Sequence, residues 1–331
     1  MKILFINDIS NTSVNLCVGL NKLNVETKIF NFSSGGSKYN IYQRALKILF
    51  RIKELFILIY IVKKYKPDFI HINYGYYGVV GRLFKVPHAI HFHGSDIRSN
   101  FRNRFLKWLT LVGTRKAKII LYSTPDLQFL MRNNFKNPFY LPNPIIIRNY
   151  KSIIKNDIFC ISKLDRTKGV NIFIKAIKII KKNYPKTKIK ILNFGNINNN
   201  NKLISNVDFD KINHSLSNIK FLKEIACSKI IIGQFQLGFL GMSELEAMSL
   251  NKPVITCVKN KYYQDGYYKQ RPPIINARTA AEIVRSYFNL INGETKLFSG
   301  SRKWVKRYHS CEKIAKIYLE ILNKNYGRNF S

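Results

Sequence analysis

Residues 231–256 read IIGQFQLGFLGMSELEAMSLNKPVIT, and this order of residue types predicts a strand, a glycine turn, a short helix and a second strand. The apolar run 229–235 indicates a buried strand, and Ser243 with Glu246 three residues later has the pattern of a capping box that begins a helix. Pro253 ends that helix, because proline cannot continue it. A strand, a glycine turn and a helix N-terminus form an arrangement that binds phosphate through free main-chain N–H groups.

Two carboxylates in this helix could serve a ligand. Glu244 and Glu246 are two residues apart and point about 200° apart, so only one of them can face a given site. Gly241 upstream and Ala247 beside it leave room for a ligand next to Glu246, which is therefore the candidate binding residue. The pattern by itself favours a helix-capping role for Glu246 over a ligand-binding role.

Length and composition limit the class of protein. A chain of 331 residues suits two domains better than one core, and its 46% hydrophobic and 13% aromatic residues argue against disorder. Five scattered cysteines include no CxxC pair, which argues against a disulfide framework or zinc site and for a reducing compartment. The N-terminal apolar run is too short for a signal peptide, and the longest run, 55–62, is far below the roughly 20 residues that span a bilayer. We therefore expect a cytoplasmic protein.

The formal net charge of +38 is spread along the chain, since residues 1–150 contain 23 Lys+Arg against 6 Asp+Glu and the remainder is also basic. Nucleic-acid-binding modules usually concentrate charge on one element, whereas a diffuse excess suits an anionic substrate or an anionic membrane surface equally well. A helix predicted over 97–112 combines an aromatic stripe with arginines. Packing of the stripe into the core is favoured, and a basic-aromatic surface at a membrane interface is the alternative.

Strands and helices alternate along both halves of the chain, which predicts parallel α/β sheets. The first half predicts strands at 2–6, 25–30, 69–73, 87–93 and 118–123, with helices at 14–23, 41–65 and 97–112. The second half predicts strands at 157–161, 188–192, 218–222 and 229–235, helices at 170–182 and 277–290, and a final amphipathic helix. The first turn lacks G-x-G-x-x-G, which disfavours a dinucleotide site. Residues 195–201, rich in glycine and asparagine, predict a mobile loop.

Six segments occur in the order found in one enzyme family: KPDFIH at 66–71, HFHGSD at 91–96, LYSTPD at 121–126, LPNP at 141–144, SKLDRTKG at 162–169 and the stretch 231–256. Over about residues 1–325 the chain resembles the retaining glycosyltransferases of family four, which have the GT-B fold. The resemblance implies two Rossmann-like parallel-sheet domains that face each other across a cleft. Residues 1–148 would form the acceptor-side domain, 149–308 the nucleotide-sugar-binding domain, and 309–331 a helix that packs back toward the first domain.

The resemblance also implies a reaction, in which a sugar moves from a nucleotide-sugar to a glycan or lipid-linked acceptor with retention at the anomeric carbon. At the positions that match the family's donor site, Lys163 and Lys168 would be cations for the leaving diphosphate and Glu246 would contact the ribose. Gly241, Met242 and Ser243 would be N–H donors to the diphosphate, and Gly238 would lie beside the donor sugar. His93 would lie near the reacting sugar, and the acceptor side would contain Asp96, Gly94 and Gly75. Fixed cations stabilise charge that develops on a departing phosphate. No DxD motif suited to a metal is present, so no cofactor and no obligatory metal are expected.

Without the resemblance, simpler interpretations hold: His93 is a strand-end histidine, Asp96 caps the helix that follows, and Lys168 is a solvated lysine. Two departures from the family pattern leave the donor sugar open. Lys163 replaces an arginine and loses its bidentate fork. Gly238 stands where the first glutamate of the E-x7-E motif belongs, and Gln234 or Gln236 could replace that carboxylate.

The expected partners are a nucleotide-sugar, a glycan or lipid-linked acceptor and the inner membrane face, with nucleic acid disfavoured. Two alternatives stay open: other nucleotide-sugar chemistry such as epimerisation or hydrolysis, and a non-catalytic basic binding protein.

Overall fold

The computed structural model describes residues 1–33, 41–150, 152–192, 209–212, 215–264, 266–294 and 300–326, with side chains of the second helix described from residue 49 onward. The chain divides into two compact units. Unit 1 contains Met1–Pro144 and Cys311–Ser331, and unit 2 contains Ile145–Ser310. The loop 195–201 lies outside the described residues. Within the described ranges, no helix is both long and apolar enough to cross a bilayer.

Unit 1 is a six-stranded parallel sheet in the order β2-β1-β3-β4-β5-β6. Its strands are β1 (Lys2–Ile6), β2 (Glu26–Phe30), β3 (Phe69–Asn73), β4 (His88–Phe92), β5 (Ile119–Tyr122) and β6 (Phe139–Tyr140). Its helices before the chain enters unit 2 are α1 (Thr12–Asn21), α2 (Ile41–Tyr65), α3 (Gly78–Gly81), α4 (Ser95–Arg98), α5 (Arg104–Thr114) and α6 (Gln128–Asn134). The predicted α/β architecture is confirmed.

Both faces of this sheet are buried, because successive side chains of a strand point to opposite sides. Ile3 and Phe5 pack on one face against α1 and the C-terminal helix of the chain, α12 (Cys311–Tyr326), whose Tyr318 is fully buried. Leu4 and Ile6 pack on the other face, where Leu58 of α2 joins them. The near-continuous apolar runs of these strands reflect burial on both sides.

The helix predicted over 97–112 is broken in the structure. Asn103 ends the first part, and its Oδ1 accepts a hydrogen bond from Leu106 N at 3.0 Å as the N-cap of α5. The expectation that the whole aromatic stripe packs into the core is also wrong. Phe105 is 64% and Trp108 is 56% exposed, and their rings stack on each other with centroids 6.0 Å apart.

Unit 2 contains a second six-stranded parallel sheet in the order β12-β11-β10-β7-β8-β9. Its strands are β7 (Asn156–Cys160), β8 (Ile189–Leu192), β9 (Asp210–Ile212), β10 (Ser228–Ile232), β11 (Val254–Thr256) and β12 (Ile275–Asn276). Its described helices are α7 (Val170–Asn183), α8 (Asn218–Ala226), α9 (Met242–Ser249), α10 (Ala280–Ile291) and α11 (Ser301–His309). Phe173 and Ile177 of α7 and Ile283 of α10 pack against β7 in the core.

The strand predicted over 218–222 is wrong, because these residues begin helix α8. Leu222, Ile225 and Ala226 are buried at a helical spacing, whereas Ile219 is 53% exposed. Ile225 and Ala226, which lie beyond the predicted strand, complete the helical pattern of buried residues.

Candidate active site

The main candidate site of unit 2 lies at the carboxyl ends of its parallel strands, where open α/β sheets bind ligands. β7 leads into the loop 163–169, and β10 leads into the loop 233–241 before α9. A hydrogen bond from Phe235 N to Lys168 O at 3.0 Å joins the two loops. Gly169 allows this approach, because its φ is +76° and a Cβ there would stand 3.1 Å from the Cβ of Phe235.

Glu244, and not Glu246, caps helix α9. The helix begins at Met242 with Gly241 as N-cap, so the capping box predicted from Ser243 to Glu246 is wrong. Glu244 Oε2 accepts a hydrogen bond from Gly241 N at 3.1 Å, and Oε1 accepts one from Gln234 N at 3.0 Å. Glycine has no side chain that could accept from the N–H groups of the first turn, so only one half of a capping box is present here, the hydrogen bond from Gly241 N–H to the carboxylate three residues later.

Glu246 is therefore available for another role. Its side chain is only 7% exposed, and its Oε1 accepts a hydrogen bond from Asn218 Nδ2 at 2.6 Å. Burial raises the pKa of Glu246 from 4.5 to about 7, while the Asn218 bond and the charge of Arg148 act in the opposite direction. A buried carboxylate that titrates near neutral pH is a common property of functional sites.

Lys168 is held beside the same helix. Its Nζ donates to Gln234 Oε1 at 2.9 Å, and Gln234, which is fully buried, donates through Nε2 to Phe239 O at 2.7 Å. The short 3₁₀ turn Arg166–Lys168 is capped by Asp165, whose Oδ1 accepts from Thr167 N at 2.7 Å. Gln234 thus fixes a lysine ammonium at the strand edge. Lys163 lies exposed in the same loop.

Gly238 has no room for a side chain. Its φ of +79° lies in the left-handed region, and a Cβ there would stand 2.7 Å from Lys259 Cγ. Lys259 N donates to Gly238 O at 2.8 Å, which keeps the lysine over this glycine. Of the two glutamines considered as substitutes for the missing glutamate, Gln234 is buried against Lys168 and Gln236 is exposed.

In unit 1, Asp96 organises the loop that follows β4. It is fully buried; Oδ1 accepts from Gly94 N at 2.8 Å and from His93 N at 3.1 Å, and Oδ2 accepts from Gly75 N at 3.3 Å. Burial raises the pKa of Asp96 to about 6. The three predicted positions Asp96, Gly94 and Gly75 are therefore brought together by one carboxylate, which binds main chain.

The hydrogen bonds of Asn73 define the tautomer of His93. Asn73 Nδ2 donates to Asn7 O at 2.7 Å and Ser13 Oγ at 2.8 Å, so its Oδ1 accepts from His93 Nε2–H at 2.6 Å. Burial lowers the pKa of His93 to about 3, which keeps the imidazole neutral. Nδ1 of His93 is then a hydrogen-bond acceptor.

A layer of buried histidines supports this arrangement. His71 Nε2 lies 3.2 Å from His91 Nδ1, and His71 Nδ1 lies 3.0 Å from the Tyr318 hydroxyl of α12. Burial lowers the pKa of His71 to about 3, and His91 is shifted in the same direction. Sequence reasoning missed Asn73 and Tyr318, although Asn73 ends a strand as binding residues in α/β sheets often do.

A cavity of about 890 Å³ opens beside these residues within unit 1. Its lining comes from the ends of β1, β2 and β3 and from α2, and it consists of Asn7, Asp8, Ile9, Asn31, Phe32, Ser33, Arg51, Tyr74, Tyr76 and Tyr77. Tyr74 has φ 72° and ψ 125°, a backbone conformation that non-glycine residues rarely adopt. Its hydroxyl lies 3.0 Å from Ser95 Oγ. Strain of this kind is concentrated at binding sites.

Among the described residues, no cluster of three or more His, Cys, Asp or Glu side chains could hold a metal ion.

Two family models match the chain. Residues 9–146 match the model described as Glycosyltransferase Family 4, and residues 150–262 match the model described as Glycosyl transferases group 1. No curated protein sequence matches at a significant level.

Solved structures share the fold at low sequence identity. HepE from Anabaena, solved with UDP-glucose, is 14% identical with a TM-score of 0.72, covering 98% of this chain and 100% of its own. Sucrose-phosphate synthase from Thermosynechococcus elongatus is 13% identical with a TM-score of 0.66, covering 99% of each chain. A putative UDP-N-acetylglucosamine 2-epimerase from Listeria monocytogenes is 11% identical with a TM-score of 0.58, covering 99% of this chain and 97% of its own. This chain shares the GT-B fold with HepE and sucrose-phosphate synthase.

Proposed function

Because the chain belongs to the group 1 glycosyltransferases of family 4, we propose that it moves a sugar from a nucleotide-sugar to a glycan or lipid-linked acceptor with retention at the anomeric carbon. One observation carries the donor half of this proposal. The N-terminus of α9, the Lys168 ammonium and the buried carboxylate of Glu246 all lie on the loops and helix at one sheet edge of unit 2.

In the proposed complex, unit 2 holds the nucleotide. Glu246 accepts a hydrogen bond from a ribose hydroxyl, and Asn218 orients that carboxylate. The N–H of Gly241 already donates to Glu244, so the diphosphate is bound by the N–H groups of Met242 and Ser243. In this proposal Gly241 is therefore not a donor to the diphosphate, which differs from the role that the family resemblance implies for it.

The reaction breaks the bond between the anomeric carbon and the diphosphate oxygen, and forms a bond from that carbon to an acceptor oxygen on the same face. The acceptor proton passes to the departing phosphate. Lys168, with Lys163 in the same loop, neutralises the charge that develops on the diphosphate. We propose that these lysines make a metal unnecessary, which predicts unchanged turnover in EDTA.

Unit 1 supplies the acceptor side of the proposal. The cavity beside Tyr74 is lined by aromatic rings and amides, and these groups bind sugar rings through stacking and hydrogen bonds. His93 offers a neutral acceptor nitrogen to a substrate hydroxyl, held in place by Asn73. Asp96 acts as a positioning residue, because its carboxylate binds main-chain N–H groups of both loops.

The test is product analysis. Purified protein is incubated with UDP-glucose, the sugar nucleotide bound by HepE, and with other nucleotide-sugars and candidate acceptors. We expect release of the nucleoside diphosphate together with a glycoside whose anomeric proton coupling in NMR matches that of the donor. An inverted glycoside would overturn retention.

A second candidate is epimerisation or hydrolysis, which the shared fold of the Listeria epimerase and the absence of a carboxylate at Gly238 both favour. An isomerised or free sugar as the main product, in the presence of acceptor, would support this candidate over transfer.

We also propose that the protein acts at the cytoplasmic face of a membrane, since its net charge of +38 favours an anionic surface. Vesicle flotation at low salt tests this. Failure of the protein to float with anionic vesicles would refute it without affecting the proposed reaction.

A further inference from the structure

Helix α2 presents a broad apolar face to solvent. Six of its large apolar side chains are between 42% and 67% exposed: Leu49, Phe50, Ile52, Phe56, Ile57 and Tyr60. Leu49, Phe56 and Tyr60 are seven and four residues apart, so they follow one line along the helix. Leu58 and Val62 on the opposite side are 0% and 9% exposed in the core. The helix therefore attaches to unit 1 by one side and leaves its apolar face outward.

The charges of α2 are divided between the same two sides. Lys53, Lys63 and Lys64 are exposed, and Lys64 Nζ lies 5.8 Å from the Tyr60 ring centroid. The one acidic residue in the α2 sequence, Glu54, is turned toward the protein. Its Oε1 accepts from Ser33 N at 2.7 Å, and its Oε2 accepts from Arg51 Nη1 at 2.9 Å. The outward face thus combines apolar side chains with lysines.

We propose that this exposed face of α2 lies in the plane of a phospholipid bilayer that contains anionic headgroups. An interfacial helix buries apolar residues at the level of the acyl chains while its lysines contact lipid phosphates. The inference deepens the proposed membrane association and rests on it. A second copy of the chain is a poorer occupant, because a two-fold contact would bring two lysine-bearing faces together.

The position of the face connects it to the proposed acceptor site. Arg51 of α2 lines the cavity that Tyr74, Tyr76 and Tyr77 border, and its Nη2 donates to Ser33 O at 2.6 Å. Docking of α2 therefore places the cavity next to the bilayer surface, where the head of a lipid-linked acceptor lies.

Helix α5 is the rival surface in unit 1. Its Phe105 and Trp108 are exposed, but Leu109 and Val112, which continue the same stripe, are half-buried. The apolar face of α2 is longer, and membrane affinity increases with the apolar area that is buried. We therefore assign the main contact to α2.

The experiment measures flotation with vesicles of phosphatidylcholine and phosphatidylglycerol, and with phosphatidylcholine alone. We expect Phe56→Ser/Tyr60→Ser to weaken binding to the anionic vesicles at least about tenfold. Phe129→Ser is the matched control, since Phe129 on α6 is 72% exposed and its loss should leave binding unchanged. Phe105→Ser/Trp108→Ser tests the rival helix. The near-UV circular dichroism and the thermal unfolding midpoint of unit 1, in which all of these residues lie, should be the same in every variant, which shows that each is folded. Donor binding by unit 2 should also be unchanged.

A second readout reports insertion directly. Phe56→Trp in a Trp108→Phe background places a tryptophan on the face, and brominated lipids should quench it. The assignment to α2 is overturned if Phe56→Ser/Tyr60→Ser floats as well as the wild-type protein. It is also overturned if only Phe105→Ser/Trp108→Ser loses flotation. A second copy of the chain covers the face if two results occur together: the wild-type protein does not bind vesicles but self-associates in sedimentation, and Phe56→Ser/Tyr60→Ser does not self-associate. Failure of donor binding would instead concern the proposed reaction.

Discussion

Two glutamates on one short helix should respond in opposite ways to the same substitution. Glu246→Gln removes a buried charge that the fold must accommodate, whereas Glu244→Gln removes a carboxylate that accepts two main-chain hydrogen bonds. We expect the first substitution to stabilise unit 2 and the second to destabilise it.

The magnitude for Glu246 follows from its pKa, which burial raises from 4.5 to about 7. The native state then binds more protons than the unfolded state between these pH values, so stability falls as pH rises through this range and stays low above it. The full difference corresponds to about 3 kcal/mol. Since glutamine remains neutral, the Glu246→Gln variant should be more stable than the wild-type protein by most of these 3 kcal/mol above pH 7.5, and almost equally stable at pH 4.5.

Glu244→Gln has the reverse effect because an amide offers one acceptor oxygen in place of two. Its NH₂ group would face either Gly241 N–H or Gln234 N–H, and a buried donor without an acceptor costs about 1–3 kcal/mol.

Urea unfolding at pH 5 and pH 8 measures both effects. The chain has two tryptophans, so a Trp108→Phe background leaves Trp304, which is buried in unit 2, as the fluorescence reporter. Equal destabilisation by both substitutions at pH 8, or a gain for Glu246→Gln that does not depend on pH, would refute this division of roles.

Three further predictions concern other parts of the molecule. Lys168→Met should lower kcat by about 10²–10³ with little change in acceptor KM, because the lost ammonium acts mainly on developing charge; an unchanged kcat in steady-state kinetics would contradict this. Gly238→Glu, which restores the family motif, should lower the free energy of unfolding by about 1–2 kcal/mol because φ is +79° there; an unchanged urea midpoint would contradict this. Burial lowers the pKa values of His71 and His93 from 6.5 to about 3, so both stay neutral in the native state while they bind protons in the unfolded state. Each histidine should therefore lower the free energy of unfolding of unit 1 by about 2 kcal/mol as pH falls from 6.5 to 5. Asp96, with a pKa raised to about 6, offsets roughly 1 kcal/mol of that loss. Acid titration followed by circular dichroism checks the net loss, and constant stability down to pH 5 would contradict it.

The sequence predicted the two parallel sheets well, because strands buried on both faces read as continuous apolar runs. It misjudged elements whose signals are short. Residues 218–222 by themselves resemble a strand, and only Ile225 and Ala226 show the helical spacing of α8. Asn218 at the start of this helix donates a hydrogen bond to Glu246. The break in the helix predicted over 97–112 depends on one capping residue, Asn103.

Exposure was the property that sequence pattern could not supply. The stripes of α2 and α5 have the periodicity of core-facing helices, and only the packing of the sheet determines which side of each is covered. The choice of capping residue likewise depends on where the helix begins: the N-cap is Gly241 and not Ser243, and this shift of two residues makes Glu244 the capping carboxylate in place of Glu246.

The most direct test of the proposed donor site is a thermal-shift panel of UDP-, GDP-, ADP- and dTDP-sugars on the wild-type protein and on Glu246→Ala. A ligand bound only by the native state, present at about 100 times its Kd, adds about 2.7 kcal/mol of stability. We expect a rise in Tm with the sugars of one nucleotide base and its loss in Glu246→Ala. No rise with any donor, or a rise of equal size in the variant, would contradict the assignment of this site to the nucleotide-sugar.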